Sequence, residues 1–222
     1  MAQIPFDAIG FDLDGTLLDT HLDLGAAVNH ALALGGFAPV PVGHVEGLIG
    51  GGAKLMLARA LEERGGVPED EFRRLYKALL RFYDANDTVH TRPYPQVIET
   101  LDALAVHGVT FAVVTNKFES FARDILTTLG LIARFAAVIG GDTLGKGRAK
   151  PAPDPVLAAQ KACGGGRFVF VGDSSYDVLS AQAAGVPVIA AAYGYCDKPP
   201  MELGADAVIG SFAELVPVLE RW

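Results

Sequence analysis

Cysteine is scarce. Cys163 and Cys196 are the only two, 33 residues apart and outside any CxxC pair. That argues against a disulfide framework or a structural zinc site and fits a reducing compartment, the cytoplasm. Long hydrophobic runs are also missing. Mean hydropathy is high at +0.31, yet the longest stretch free of charge and amide is Ala183–Cys196, 14 residues. A bilayer span needs ~18 or more. The N-terminus has no basic segment, since Asp7, Asp12 and Asp14 precede any Lys or Arg; it does not read as a signal peptide. Positive charge is in deficit, with 18 Lys and Arg against 26 Asp and Glu, a net −8. A global nucleic-acid footprint is not expected, although a local positive site for a small anion is compatible with this balance. Neither GxSxG nor HExxH occurs. Gly47–Lys54 (GLIGGGAK) resembles a P-loop only faintly: Ala53 stands where the lysine belongs, Leu55 follows Lys54, and no strand precedes it. It reads as a flexible connection between helices.

What remains is a chain of 222 residues and 23.3 kDa, half hydrophobic and one fifth charged, enough for a sizeable core. The length suits one large domain, or one domain with an insert. Short apolar runs at Asp7–Phe11, Val109–Val114, Ala136–Ile139, Phe168–Val171, Val188–Ala191 and Ala207–Ile209 read as strands. Helices are expected at Ser120–Leu129, Asp154–Ala162, Tyr176–Ala184 and Phe212–Leu219. The last opens on a capping box, Ser211 with Glu214. Solid apolar strands alternating with helices predict a parallel sheet covered on both faces. Between Thr20 and Thr91 no convincing strand appears. Phe72, Leu75, Leu79 and Phe82 recur at helical spacing, with Tyr76, Leu80 and Tyr83 as a second band. Glu69, Asp70 and Glu71 suit a helix N-terminus. The expected organisation is a core from 1–19 and 92–222, interrupted by a helical unit over 20–91.

Four polar segments lie at or soon after predicted strands. The first strand ends in Asp12-Leu13-Asp14-Gly15-Thr16, and strand alternation sends Asp12 and Asp14 to one face. Thr115-Asn116-Lys117 follows the second, where a hydroxyl and free amides can hold phosphate oxygens. Lys150 stands before three closely spaced prolines. Asp173 and Asp177, in Gly172–Asp177, are four apart, on neighbouring surface if a helix starts there. A parallel sheet gathers these ends in the crevice at the carboxyl ends of its strands. Four carboxylates, one lysine and one hydroxyl would then share a crevice. Like charges ~4 Å apart repel by about 4 kcal/mol at an effective dielectric near 20, so protons or a cation are needed. Mg²⁺, which takes one or two carboxylates plus substrate phosphate oxygens, fits.

The order DLDGT, TNK, KPxP and GDSxxD resembles the haloacid dehalogenase superfamily of phosphotransferases, and the helical insert resembles the cap found between the first two motifs in some members. The resemblance covers essentially the whole chain and is nearest to phosphoglycolate phosphatases, through Gly15–Thr20, Gly50–Leu61, Arg92–Val97 and Phe170–Asp177. It implies a Rossmann-like, three-layer α/β core with an inserted helical cap domain. It implies an Mg²⁺-dependent phosphomonoester hydrolase acting through an aspartyl-phosphate, on 2-phosphoglycolate or a similar small phosphorylated metabolite. Asp12 would be the nucleophile and Asp14 the general acid and base. Thr115, the Asn116 N–H and Lys150 would bind the phosphoryl group. Asp12, the Asp14 carbonyl and Asp173 would ligate the metal, and Asp177 would hold a metal water or Lys150. Asp14 favours phosphoester chemistry, because members that cleave carbon–halogen or carbon–phosphorus bonds lack it. Lys54, after the Gly50-Gly51-Gly52 run, is a candidate for a substrate carboxylate. Gln96 replaces the glycine that relatives usually have after Tyr-Pro, and Tyr176 replaces a frequent Asn. A hexose phosphate mutase and a non-catalytic phospho-ligand binding module are the alternatives. No nucleic-acid or membrane partner is expected, and the chain would be a monomer or homodimer.

Overall fold

The computed structural model describes residues 4–222; the first three residues of the expected 1–19 segment lie outside it. β1 (Ala8–Phe11) is followed by β2 (Leu18–Asp19), then by helices α1 (His21–Leu34), α2 (Val42–Val45), α3 (Ala53–Glu62) and α4 (Glu69–Asn86), and by β3 (Arg92–Pro93). From there the chain alternates: α5 (Val97–Val106), β4 (Thr110–Val114), α6 (Glu119–Thr128), β5 (Ala137–Ile139), α7 (Asp154–Ala162), β6 (Phe168–Gly172), α8 (Ser175–Ala183), β7 (Val188–Ala191), β8 (Ala207–Ile209) and α9 (Leu215–Leu219). The expected strands all form, with ends shifted by one residue at most.

Six strands make one parallel sheet in the order β5-β4-β1-β6-β7-β8. β1 is central, with Ala8 opposite Thr110 on one side and Phe168 on the other. Strand alternation divides the core. Ile9, Phe11, Val113 and Val171 join an apolar cluster with Leu101 of α5, Ile125 of α6 and Leu215 of α9. Ala8, Ala112, Phe170 and Val188 meet Val156 of α7 and Val178 of α8 on the opposite face. Both faces are dry, which is why the strands read as unbroken apolar runs rather than alternating ones. The first cluster continues into the helical stretch through Leu24, Leu57, Leu75 and Leu79. Helix α4 buries Leu75 and Leu79 from the first expected band and Tyr83 from the second, while Phe72, Tyr76, Leu80 and Phe82 are only partly buried.

The capping box expected at Ser211 does not form in the expected way. Glu214 instead accepts the Gly210 N–H at 3.0 Å, and the Ser211 hydroxyl points at its other oxygen. Phe212–Glu214 consequently winds as a tight 3₁₀ turn before α9. A reciprocal box is present at α8, where Asp177 accepts from the N–H and hydroxyl of Ser174 at 3.0 and 2.6 Å.

Two crossings connect the sheet to α1–α4, and β2 and β3 pair antiparallel there, Leu18 opposite Pro93. Asp23 of α1, buried, receives the N–H groups of His90 and Thr91 and the Thr91 hydroxyl, all within 3.0 Å. These hydrogen bonds clamp the two crossings together. Gln96, just past the second, has φ 67° and ψ 6°, the left-handed region. A glycine adopts that geometry freely and a glutamine is strained there by ~1–2 kcal/mol.

Candidate active site

The strand order reverses direction at β1, and the polar segments converge there at the carboxyl ends of the strands. Asp12 follows β1 directly, and its N–H continues the ladder to Val171 O at 2.9 Å. Thr115 follows β4 and is held by Ile139 O at 2.9 Å. Asp173 follows β6, and Asp177 lies in the first turn of α8. Lys150 comes from the loop before α7. Carboxylate oxygens of Asp12, Asp173 and Asp177 lie within 4.8 Å of one another, and all three residues are buried.

Lys150 is the charge at the centre. Its Nζ donates to Asp177 Oδ1 at 2.6 Å and to Val114 O at 2.9 Å, and lies 2.7 Å from Asp12 Oδ1. That last contact is an ion pair without hydrogen-bond alignment, so Asp12 Oδ1 remains a buried oxygen with no aligned donor. Burial alone would lower the Lys150 ammonium, but Asp12 and Asp177 outweigh it and hold the ammonium above its ordinary value. Burial raises the Asp12 carboxyl to about 7, with Lys150 opposing and Asp177 adding to the rise. Asp173 is raised too, by burial first and then by Asp177 and Asp12.

Three carboxylates against one ammonium are an excess of negative charge in a dry place. At ~4.8 Å and an effective dielectric near 20, each like-charged pair repels by about 3 kcal/mol. The clustered carboxylates of Asp12, Asp173 and Asp177 therefore fit a hard divalent cation. Asp173 is aimed by two donors, Thr16 Oγ1 at 2.9 Å and Tyr195 N–H at 2.8 Å. Gly15, at φ 88°, passes so close to Asp173 that a Cβ there would lie 2.4 Å from its oxygen.

Asp14 stands apart from this trio. Its Oδ1 takes the Thr20 hydroxyl at 2.8 Å and pairs with Lys117 Nζ at 3.0 Å. Lys117 also donates to Tyr83 Oη at 2.8 Å, and its ammonium sits over the Tyr83 ring. Burial works against the Lys117 charge, but Asp14 and Tyr83 more than restore it.

Asp12, Asp14, Thr115, Asn116 and Lys54 all border one cavity of about 400 Å³. Asn116 spans its rim: Nδ2 donates to Gly50 O and to Lys150 O, each at 3.1 Å. Gly52, at φ 83°, packs so closely that a Cβ would lie 3.1 Å from Asn116 O. Tyr176 lies against the same glycine loop, its ring facing Gly50 and Gly51. Lys54 is exposed, the second residue of α3, and borders the cavity.

Sequence reasoning assigned no task to Thr16, Tyr83, Lys117 or Tyr195. Thr16 and Lys117 sit inside motifs already singled out. Tyr195 has no local signal: its hydroxyl accepts the N–H groups of Thr20 at 2.6 Å and His21 at 3.0 Å and donates to Asp19 at 2.9 Å, across the whole chain length.

Comparison with known proteins places the chain in a family. The family model described as "Haloacid dehalogenase-like hydrolase" matches residues 9–191. A phosphoglycolate phosphatase of Agrobacterium fabrum is 44% identical over 212 residues, covering 94% of this chain and 90% of its own. One from Mesorhizobium japonicum is 37% identical, covering 96% and 95%. The crystal structure of a predicted phosphoglycolate phosphatase from Haemophilus somnus superposes with a TM-score of 0.89 at 33% identity, covering 96% of this chain and 97% of its own. Among the described residues no helix is long and apolar enough to cross a membrane.

Proposed function

The chain belongs to the haloacid dehalogenase-like hydrolases and is a phosphatase, and on that premise we propose that it hydrolyses 2-phosphoglycolate, or a similarly small phosphorylated metabolite, through an aspartyl-phosphate. The observation that supports this most directly is Asp12: a buried carboxylate with one oxygen free of aligned donors, beside Lys150 and two residues before Asp14. Asp12 attacks phosphorus while the bond to the alcohol oxygen breaks, and Asp14 gives that oxygen its proton. Asp14 then takes a proton from the water that attacks the aspartyl-phosphate, releasing phosphate and restoring Asp12. Lys150, the Thr115 hydroxyl and the Asn116 N–H bind the phosphoryl oxygens and offset their charge, which is most of what phosphoryl transfer requires. Lys117 and Thr20 hold the Asp14 carboxylate in place. Asp12 and Asp173, with the Asp14 carbonyl, would hold Mg²⁺, which when bound neutralises the phosphoryl oxygens and the carboxylates around them. Asp177 keeps Lys150 in place.

The helical stretch over 20–91 acts in this reading as a cap that completes the site, and Lys54 faces the carboxylate of the substrate. The unpaired Cys163 and Cys196 fit a cytoplasmic enzyme. The test is a phosphate-release screen over many phosphomonoesters with Mg²⁺. 2-Phosphoglycolate should rank first or near first by kcat/KM. A sugar phosphate converted to its isomer without phosphate release would refute hydrolysis.

A further inference from the structure

We propose that the site also hydrolyses phosphomonoesters whose alcohol carries an extended apolar body, a substrate class that rests on the phosphatase reading and reaches beyond a two-carbon acid. The cavity that begins at Asp12, Asp14 and Thr115 does not end near the phosphate position. It continues to a wall of Leu24, Ile49 and Met56, Tyr76 of α4, and Phe118 and Phe121 at the start of α6. Its volume of about 400 Å³ equals roughly thirteen waters at ~30 Å³ each in the liquid. A phosphoester of a two-carbon alcohol leaves much of that space and most of that wall untouched.

The chemistry of the wall is one-sided. Of the two lysines bordering the cavity, Lys117 has its nitrogen engaged by Asp14 and Tyr83, and Lys54 is exposed. Phe121 stands edge-on to Tyr83 at 5.5 Å between ring centres and tilted against Phe118 at 6.0 Å. A concave, largely apolar chamber with a few placed polar groups is the usual form of a small-molecule site. Here Asp12, Asp14 and Thr115 serve the phosphate, and the apolar lining is left for the alcohol. The bond changes are those of any phosphomonoester: the P–O bond to the alcohol breaks, that oxygen takes a proton, and water supplies hydroxyl to phosphorus.

The full chain with Mg²⁺ would be assayed for phosphate release from ethyl phosphate, n-hexyl phosphate and 2-phosphoglycolate. Ethoxide and hexoxide are equally poor leaving groups, so their ratio reports contact with the wall. Each buried methylene is worth roughly fourfold, at about 0.8 kcal/mol. Burying even half of the four extra methylenes should raise kcat/KM for the hexyl ester about tenfold or more above the ethyl ester. Phe121→Ala and Tyr76→Ala should each reduce the hexyl-to-ethyl ratio several-fold, and Phe121→Leu, which keeps the wall apolar, should retain most of it. A wild-type ratio near one, or a ratio unmoved by both alanine variants, overturns the proposal and leaves phosphoglycolate hydrolysis standing. Absence of phosphate release from every ester overturns the phosphatase reading and this inference together.

Discussion

Replacing Lys117 by Met isolates the one charge that holds Asp14. Methionine keeps the length and apolar body of the side chain while removing the ammonium. The pair is 3.0 Å apart, with the lysine side chain 5% and the aspartate 13% exposed. Coulomb attraction at that distance is about 5 kcal/mol at an effective dielectric near 20. Breaking a buried pair from one side costs ~3–5 kcal/mol, because the remaining charge is left uncompensated. Asp14 keeps the Thr20 hydroxyl and some solvent, which places the loss near 3 kcal/mol. For a chain of this size each kcal/mol shifts Tm by about 2–4 °C, so a fall of roughly 6–12 °C is expected in a thermal melt. In the double variant with Asp14→Asn the buried charge is gone as well. The two losses should then fall short of additivity by ~2 kcal/mol or more. Activity should fall more for an alkyl phosphate than for p-nitrophenyl phosphate, whose leaving group needs no proton. Additive stability losses, or a single-variant loss under ~1 kcal/mol, would refute the claim that Lys117 positions Asp14.

Asp12→Asn should lose at least about a thousandfold in kcat while melting no lower than wild type, since it removes a nucleophile and also one carboxylate from a mutually repelling trio; retention of more than a few per cent of activity would exclude Asp12 as nucleophile. In the metal-free protein Asp12 keeps its proton to about pH 7, whereas the unfolded chain releases it near 3.8. The folded state binds more protons between those values, so the contribution of Asp12 to stability is full below about pH 4 and is lost as pH rises through 7. Melts from pH 5 to 8 in chelator should show that decline. Mg²⁺ should raise Tm more at pH 8 than at pH 5, and activity should vanish in chelator and return with Mg²⁺ better than with Ca²⁺. Lys54→Ala should reduce kcat/KM for 2-phosphoglycolate by ten- to a hundredfold, about 1.5–3 kcal/mol, and spare p-nitrophenyl phosphate; equal losses would make Lys54 a bystander. Gln96→Gly should raise stability by about 1 kcal/mol in urea unfolding by relieving a positive φ at an exposed side chain.

The sheet was legible because each signal is local, and of the four carboxylates expected together the structure clusters Asp12, Asp173 and Asp177 while Asp14 pairs with Lys117. A parallel strand buried on both faces is an apolar run, and Asp12, Thr115 and Asp173 each stand immediately after one. Asp177 was legible both as a cap and as a site residue, and it does both through different oxygens: Oδ2 holds Ser174 and Oδ1 holds Lys150. What escaped depends on contacts far apart in sequence. Tyr83 reads as the apolar stripe of α4, and nothing in its neighbourhood announces that its hydroxyl meets Lys117. Tyr195 sits in a loop without a motif, although it joins Asp173 to the first crossing. Phe118 and Phe121 carry the same ambiguity, since an aromatic residue at a helix start looks alike whether it fills a core or walls a cavity. The box at Ser211 failed for a subtler reason: Glu214 reached one residue further back, to Gly210.

The central place of β1 sets a timetable for the protein's birth. It precedes both of its neighbours in the chain, so Ala8 waits for Thr110 on one side and Phe168 on the other. At ~5–20 residues per second the ribosome needs roughly ten to thirty seconds to deliver the second neighbour. During that interval α1–α4 can already pack on one another, while Ile9 and Phe11 still lack at least one of their strand neighbours. The nascent chain therefore carries a naked apolar ribbon ending in Asp12. The site cannot assemble until Lys150 and Asp173 have emerged, so Asp12 waits for partners made long after it.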